Sequence, residues 1–138
     1  MTTVLGISAL YHDAAAAIVR DGEIIAAAQE ERFSRKKHDP RFPRHAINYC
    51  LEEAFIDPSE LSAVVFYDNP ALTLDRVVRS IASVAPRGEE QWRQAAGSLF
   101  GNKLHVRELV RETLGAEVPV LVTEHHAAHA ASAFYPSP

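Results

Sequence analysis

Three histidines near the end of the sequence have the spacing of a partial metal site. His125, His126 and His129 lie within five residues, and the two residues between His126 and His129 are alanines. If the segment is helical, His125 and His129 project from one face, one turn apart, and two such imidazoles can bind one cation. His126 and His129 form a second candidate pair. The HExxH pattern of zinc proteases is absent, because no carboxylate lies between His125 and His129. The spacing leaves two interpretations open, a metal site or a histidine cluster that packs or faces solvent.

A second candidate group, His12 and Asp13, interrupts the first apolar stretch of the chain. Histidine can take a proton near neutral pH or donate to a phosphoryl or carbonyl oxygen, and an adjacent aspartate can orient it or bind a cation. The backbone N–H groups of such a loop can also hold an anion. On adjacency alone, a surface turn is the simpler explanation.

Composition narrows the classes of function. The chain has 138 residues, of which 47% are hydrophobic, and this predicts one globular domain over residues 1–138. The net charge of -4, with both signs dispersed, gives no indication of nucleic-acid or membrane binding. A single cysteine, Cys50, excludes an internal disulfide and predicts a reducing, cytoplasmic setting. Because no apolar run approaches about 18 residues, we expect no membrane span.

The elements that must position these groups begin with an antiparallel meander. Apolar runs at residues 4–8 and 14–20 predict two strands. Asp21 and Gly22 then predict a type I′ turn into a third strand that starts at Glu23, since both turn residues need a positive φ. The alanine-rich runs also fit a helix, and the Asp-Gly turn argues against that alternative.

A basic segment follows the meander. Six of the 14 basic residues fall between positions 32 and 44, with two prolines and no periodic pattern. We predict a loop here, either a basic flap over an anionic ligand or a solvated surface loop.

Helical spacing predicts most of the remaining elements. Helices are expected over residues 46–55, with Cys50 on the buried face, over 72–84, and over 89–114 with a break near 97–102 and Gly115 after its end. The residues predicted to pack in this region are Trp92, Phe100, Leu104 and Val110.

Two short apolar runs, at residues 63–67 and 119–122, are typical of parallel strands buried on both faces. Asp68 and Asn69 follow the first run, where open α/β sheets bind ligands, although a turn-capping role is the simpler interpretation. Thr123 is the predicted N-cap of a histidine helix that extends to about Tyr135. The element order predicts an α/β, ribonuclease H-like half-domain, with a five-stranded mixed sheet, an N-terminal antiparallel meander and flanking helices.

Four motifs in this order resemble one family. The strings are GIS at residues 6–8 with HDAAAA at 12–17, DG at 21–22, AQEERFSRKK at 28–37 and EHHAAHAASAFYPS at 124–137. Together they resemble the amino-terminal region of the O-carbamoyltransferases of the NodU/CmcH type. That family is similar to the tRNA threonylcarbamoyladenosine enzymes and to the actin-like ATPase (ASKHA) fold.

The resemblance implies a two-step reaction. Carbamoyl phosphate and ATP give carbamoyl-adenylate in a YrdC-like carboxy-terminal domain, and the carbamoyl group then passes to a hydroxyl of a sugar, antibiotic or nodulation-factor acceptor. It implies that His125 and His129 hold a divalent metal of the iron(II) type near the nucleotide phosphate, and that His12 lies near the carbamoyl group. We expect Asp13 to support His12, and His126 to contact the nucleotide or groups around the metal.

Members of this family are several hundred residues long. The resemblance therefore implies that two parts are missing from this chain, a second ribonuclease H-like half that supplies a further metal ligand and the YrdC-like domain. It also implies that the piece alone is inactive. We expect the missing part of the polypeptide to be its partner, with self-association as another outcome. The alternative function is a non-catalytic nucleotide-binding, metal-binding or scaffold module of the same fold.

Overall fold

The computed structural model describes residues 1–101 and 103–137, without the side chains of residues 95 and 98–101. The chain begins with three strands, β1 (Thr3–Ser8), β2 (Ala15–Arg20) and β3 (Glu23–Gln29). Each pairs antiparallel with the next, so the meander is confirmed and the helical alternative for the alanine-rich runs is wrong. Between β2 and β3, Asp21 and Gly22 have φ values of 48° and 91°, as the predicted turn requires.

The other two strands extend the sheet on the far side of β1. β4 (Ala63–Phe66) pairs parallel with β1, and β5 (Val120–Val122) pairs parallel with β4. The strand order is β3-β2-β1-β4-β5, in which β2 is antiparallel to both neighbours. This topology confirms the five-stranded mixed sheet of the ribonuclease H-like layer.

Helices connect and flank the strands. They are α1 (Glu31–Ser34), α2 (Arg44–Ala54), α3 (Pro70–Val84), α4 (Glu89–Gly101), α5 (Val106–Leu114) and α6 (His125–Phe134), with 3-10 turns at Pro58–Glu60 and Lys103–His105. The predicted helical region 89–114 is thus two helices, and Gly115 follows α5 with a φ of 63°, as predicted. None of the helices in the described part of the chain is both long and apolar enough to cross a membrane.

The two faces of the sheet differ in how they are covered. Side chains alternate between the faces of a strand, and those that face α2 and α5 form the hydrophobic core. The largest of them, Leu5, Ile18, Val64 and Phe66, are fully buried. On the opposite face, half-buried small residues such as Gly6 and Ala17 border an open cavity of about 910 Å³, which alanines of α6 also line.

Three sequence-based expectations about burial and helix ends are wrong. β5 is not buried on both faces: Leu121 is 55% exposed, because β5 is an edge strand that pairs only with β4 among the described strands. Phe55 does not continue the apolar face of α2, since it adopts the left-handed conformation that ends the helix and is 94% exposed. Thr123 is not the N-cap of α6, because that helix begins one residue later, after Glu124.

The basic segment is more ordered than a solvated loop. Its first residues form α1, and Asp39, Phe42 and Pro43 are buried. Two main-chain hydrogen bonds tie it to the loop after β1, from Leu10 N to Pro40 O and from Ala14 N to Asp39 O, each 2.8 Å. The segment is therefore held against the loop that carries His12 and Asp13.

The predicted packing of the long helical region is confirmed in part. Val110 is buried in the core, whereas Trp92 and Leu104 keep more than a third of their surface exposed. The side chain of Phe100 lies outside the part of the structure that is described. The residue that is buried next to Leu104 is instead a lysine, Lys103.

Candidate active site

The carboxyl ends of the parallel strands bring the candidate residues to one edge of the sheet. β1, β4 and β5 run in the same direction and are neighbours, with Ile7 opposite Phe66 and Phe66 opposite Val122. The loop of His12 and Asp13 follows β1, Asp68 follows β4, and α6 begins with His125 just after β5. Ligands of open α/β sheets bind at this kind of edge.

His125 and His129 converge as the helical spacing predicts. Their Nε2 atoms are 3.1 Å apart and their rings meet edge to face, with centroids 4.5 Å apart. Burial lowers the pKa of His125, and the neighbouring charge of protonated His129 lowers it further. This pKa shift favours the neutral imidazole, which is the form that coordinates a metal.

The donor set of this pair suits half of a metal site. Two imidazole nitrogens at this separation can bind the same divalent ion, and imidazole is a good ligand for iron or zinc. Among the described residues, the one cluster of three potential ligands lies elsewhere, at Asp13, Glu31 and His38. Among the described residues, His125 and His129 therefore have no third ligand beside them. A complete coordination sphere would need ligands from elsewhere.

His126 does not converge with His125 and His129. It is exposed, its ring centroid is 5.8 Å from that of His125, and it borders a cavity of about 250 Å³. The polar residues that share this cavity are Asp68, Asn69, Arg76, Glu124 and His125. His126 therefore lies beside the pair and does not turn its ring toward it in the way that His129 does.

His12 and Asp13 form the hydrogen bond that their adjacency suggested. His12 Nδ1 is 2.8 Å from Asp13 Oδ2, and the His12 ring is mostly exposed. The pKa of Asp13 is lowered, chiefly by a hydrogen bond from His38 and also by the one from His12. Asp13 is therefore an ionised acceptor at neutral pH, which suits the role of orienting an imidazole.

His38 is a member of this group that sequence reasoning missed. Its Nδ1 is 2.8 Å from Asp13 Oδ1, and its backbone N–H donates to Glu31 Oε2 at 2.9 Å. His38 lies 25 residues from Asp13, inside a basic segment without periodicity. No local pattern marked it, because only the tethering of that segment brings the two side chains together.

Glu30, in contrast, has a structural role. Its buried carboxylate accepts from His45 Nδ1 at 2.6 Å and from the Ala46 backbone N–H at 2.9 Å. It thus provides an acceptor for a backbone N–H group in the first turn of α2, where N–H groups without a partner in the helix favour a negative charge. Glu30 therefore binds the start of α2, whereas the adjacent Glu31 binds the backbone N–H of His38.

A buried ion pair lies between the two groups of histidines. Lys103 Nζ is 3.4 Å from Asp68 Oδ2, and both side chains are less than a tenth exposed. Lys103 also lies 5.5 Å from the ring centroid of Tyr11, which itself packs on His12. Lys103 was not singled out from the sequence, since a lysine between two helical segments is most often a surface residue.

Asp68 and Asn69 have different roles. The side chain of Asn69 accepts from the N–H groups of Ala71 and Leu72, so its capping role at α3 is confirmed. Asp68 is buried and accepts hydrogen bonds from Lys103 and Thr73, which is more than a cap requires. Burial and the nearby Asp68 charge also raise the pKa of Tyr67, whose ring packs on His125, to about 12.

Comparison with known proteins shows the family to which the chain belongs. Residues 3–138 match the family described as "Carbamoyltransferase N-terminus". The chain is 48% identical to an uncharacterized protein, sll1178, of Synechocystis over all of this chain and 24% of that protein. It is 36% identical to the nodulation protein NolNO of Sinorhizobium fredii, over 89% of this chain and 17% of that protein.

Solved structures give a further comparison. YeaZ from Pseudomonas aeruginosa aligns with a TM-score of 0.44 and 17% identity, over 90% of this chain and 44% of that chain. At this score the likeness has no weight in the assignment, which rests on the sequence match. The chain belongs to the carbamoyltransferase family, and it corresponds to the amino-terminal region of that family from residue 3 onward.

Proposed function

We propose that this chain is the acceptor-side part of an O-carbamoyltransferase, in which a carbamoyl group passes from carbamoyl-adenylate to an acceptor hydroxyl. The observation that carries the proposal is the convergence of two imidazole Nε2 atoms, 3.1 Å apart, at the same sheet edge as the His12–Asp13 pair. The family match supports the reaction type. The carbamoyl-adenylate would be made from carbamoyl phosphate and ATP.

In this proposal His125 and His129 hold a divalent metal, iron(II) by resemblance, which would supply positive charge next to the adenylate phosphate. His126, on the rim of the adjoining cavity, contacts the nucleotide. The chain spans 24% of the length of sll1178 and 17% of the length of NolNO. The remaining ligands and the adenylating activity are therefore assigned to other parts of a longer polypeptide.

His12 acts as the base in the transfer. Its Nδ1 is held by Asp13, so Nε2 is free to accept a proton. The acceptor oxygen bonds to the carbamoyl carbon, the bond from that carbon to the phosphate oxygen breaks, and AMP leaves with the electron pair. The proton of the acceptor hydroxyl moves to His12 Nε2.

Metal content and transfer can be tested in the full-length polypeptide. We expect His125→Ala and His129→Ala to lose bound metal by elemental analysis and to lose transfer from radiolabelled carbamoyl phosphate to a panel of sugar and antibiotic acceptors. The matched control is His105→Ala, an exposed histidine without a side-chain cap bond, which should keep both properties. Unchanged metal content in both α6 variants would contradict the site.

The role of His12 is tested in the same assay. We expect His12→Ala to form carbamoyl-adenylate normally and to slow transfer by about 10²-fold or more, the usual contribution of a general base. Normal transfer would remove His12 from the mechanism. Metal or nucleotide binding without any transfer in the unaltered protein would instead favour a non-catalytic binding module.

A further inference from the structure

One carboxylate holds two imidazoles in this structure. Asp13 Oδ2 bonds with Nδ1 of His12 and Oδ1 bonds with Nδ1 of His38, and both contacts are 2.8 Å. A carboxylate accepts with both oxygens, so neither histidine displaces the other. Because Asp13 is ionised, it favours a hydrogen on each Nδ1, and in the neutral form of each ring Nε2 is then the acceptor.

The backbone around this bridge is held in an uncommon conformation. Asp13 and His38 have φ values of 47° and 55°, in the left-handed region that residues other than glycine seldom adopt. The Glu31 carboxylate fixes His38 by accepting its backbone N–H at 2.9 Å. Conformations of this kind persist where surrounding contacts determine them, and they concentrate at functional sites.

The contacts on both sides of the bridge supply that support. Next to Asp13, the N–H of Ala14 donates to Asp39 O, and next to His38 the buried Asp39 side chain pairs with Arg41. The two strained residues are thus locked to each other through their immediate neighbours.

We propose that His38 is a positioning residue of the transfer site: by occupying one oxygen of Asp13, it orients the carboxylate so that the other oxygen fixes the tautomer and direction of His12. An aspartate carboxylate rotates through a broad range about its last bond. With His38 in place, Oδ1 is engaged and Oδ2 is directed at His12. Without His38, the carboxylate is free to turn toward solvent, and His12 loses its fixed partner.

This inference rests on the proposed role of His12, and one of its readouts is independent of transfer. The asparagine variant is the discriminating one, since Asn tolerates the left-handed backbone of position 38 and its amide N–H can donate to Asp13. His38→Asn therefore keeps the bridge without the imidazole, and His38→Ala removes both.

The first measurement reports the His12 tautomer. In the full-length polypeptide with ring-15N histidine, at a pH well above the ordinary imidazole range, we expect a predominantly Nδ1–H tautomer in the unaltered protein and in His38→Asn. We expect His38→Ala to raise the Nε2–H form of His12 several-fold. The matched control is His45→Ala, which removes a histidine from a different carboxylate, Glu30, and should leave His12 unchanged.

The second measurement is the rate of transfer. We expect His38→Ala to lower kcat about tenfold with little change in the acceptor KM, and His38→Asn to recover most of that loss. An unaltered His12 tautomer in His38→Ala would overturn the proposal, as would equal losses in kcat for both variants, because the second result would mean that the imidazole itself acts on the reactants.

Two further outcomes are distinguishable. Absence of transfer in the unaltered protein, with the tautomer change intact, would refute the proposed function and leave the positioning of His12 by His38 standing.

Asp13, Glu31 and His38 also have potential ligand atoms within 4.8 Å of one another. Selective broadening of the His38 signals by equimolar Mn²⁺, in a protein lacking His125 and His129, would make this cluster a cation site and overturn the proposal.

Discussion

Replacement of Asp39 by asparagine is expected to destabilise the protein by about 2 kcal/mol at neutral pH. The Asp39 side chain is 1% exposed and accepts from Arg41 Nη2 at 2.6 Å, from Arg41 Nε at 2.9 Å and from the Arg41 backbone N–H at 3.1 Å. Asparagine keeps one acceptor oxygen and loses the charge. The Arg41 guanidinium then loses the carboxylate that it binds, and this carboxylate belongs to the residue next to His38.

The size of this effect follows from the burial of the two partners. Hydrogen bonds to a charged group contribute about 1.5–3 kcal/mol, and the value is discounted here because Arg41 is 55% exposed and its charge is partly screened. With an unfolding entropy of about 2.1 cal/mol/K per residue, 2 kcal/mol corresponds to a fall of about 7 °C in Tm for a chain of 138 residues.

The effect also has a defined pH dependence. The hydrogen bond from Arg41 holds the pKa of Asp39 well below its usual range in the folded state, whereas the unfolded chain has a pKa of about 3.9. A lowered folded pKa adds stability that is fully present above the unfolded value and is lost as the pH falls through the folded value. The difference between the two proteins should therefore be constant from about pH 5 to 8 and shrink below about pH 4.

Urea and thermal unfolding, followed by circular dichroism, would measure both quantities. The control is Asp75→Asn, which breaks an Asp–Arg pair with a 2.9 Å contact to Arg79 Nε, whose partners are both largely exposed. We expect that control to cost less than about 0.5 kcal/mol. A loss for Asp39→Asn no larger than the control, or one that does not shrink in acid, would refute the reasoning.

Two further sets of substitutions test the packing at the sheet edge and the backbone conformation at a helix end. Lys103→Met should destabilise by about 3 kcal/mol in urea unfolding because it leaves Asp68 buried without its cation, and the added change Asp68→Asn should recover part of that loss; a cost under about 1 kcal/mol would contradict the buried pair. Gly115→Ala should cost about 1 kcal/mol because its φ is 63°, whereas Gly97→Ala inside α4 should be neutral or stabilising. Equal Tm values for the two alanine variants would show that the backbone conformation at Gly115 is not the cause.

Local patterns were sufficient for much of the fold. Short apolar runs and the Asp21-Gly22 turn predicted the meander, because an apolar run and a positive φ are properties of a few adjacent residues. The same locality explains the errors. Phe55 and the residues of β5 are apolar, but their exposure depends on where a helix ends and on which strand lies at the sheet edge.

The candidate site shows the same division. Helical spacing correctly predicted that His125 and His129 converge, since i and i+4 side chains share a face. Adjacency likewise predicted the His12–Asp13 contact. The other constituents, Lys103 and His38, lie in segments whose local sequence resembles ordinary solvated surface.

The sequence by itself therefore determined the strand order along the chain, the hairpin, the histidine pair of α6 and the family to which the motifs belong. The tertiary structure decided which residues share the edge of the sheet. His38 reaches Asp13 across 25 residues, and Lys103 reaches Asp68 across 35, only because separate segments are tied to neighbouring strand ends. Contacts of this kind depend on the closure of the whole fold, and no spacing along the chain encodes them.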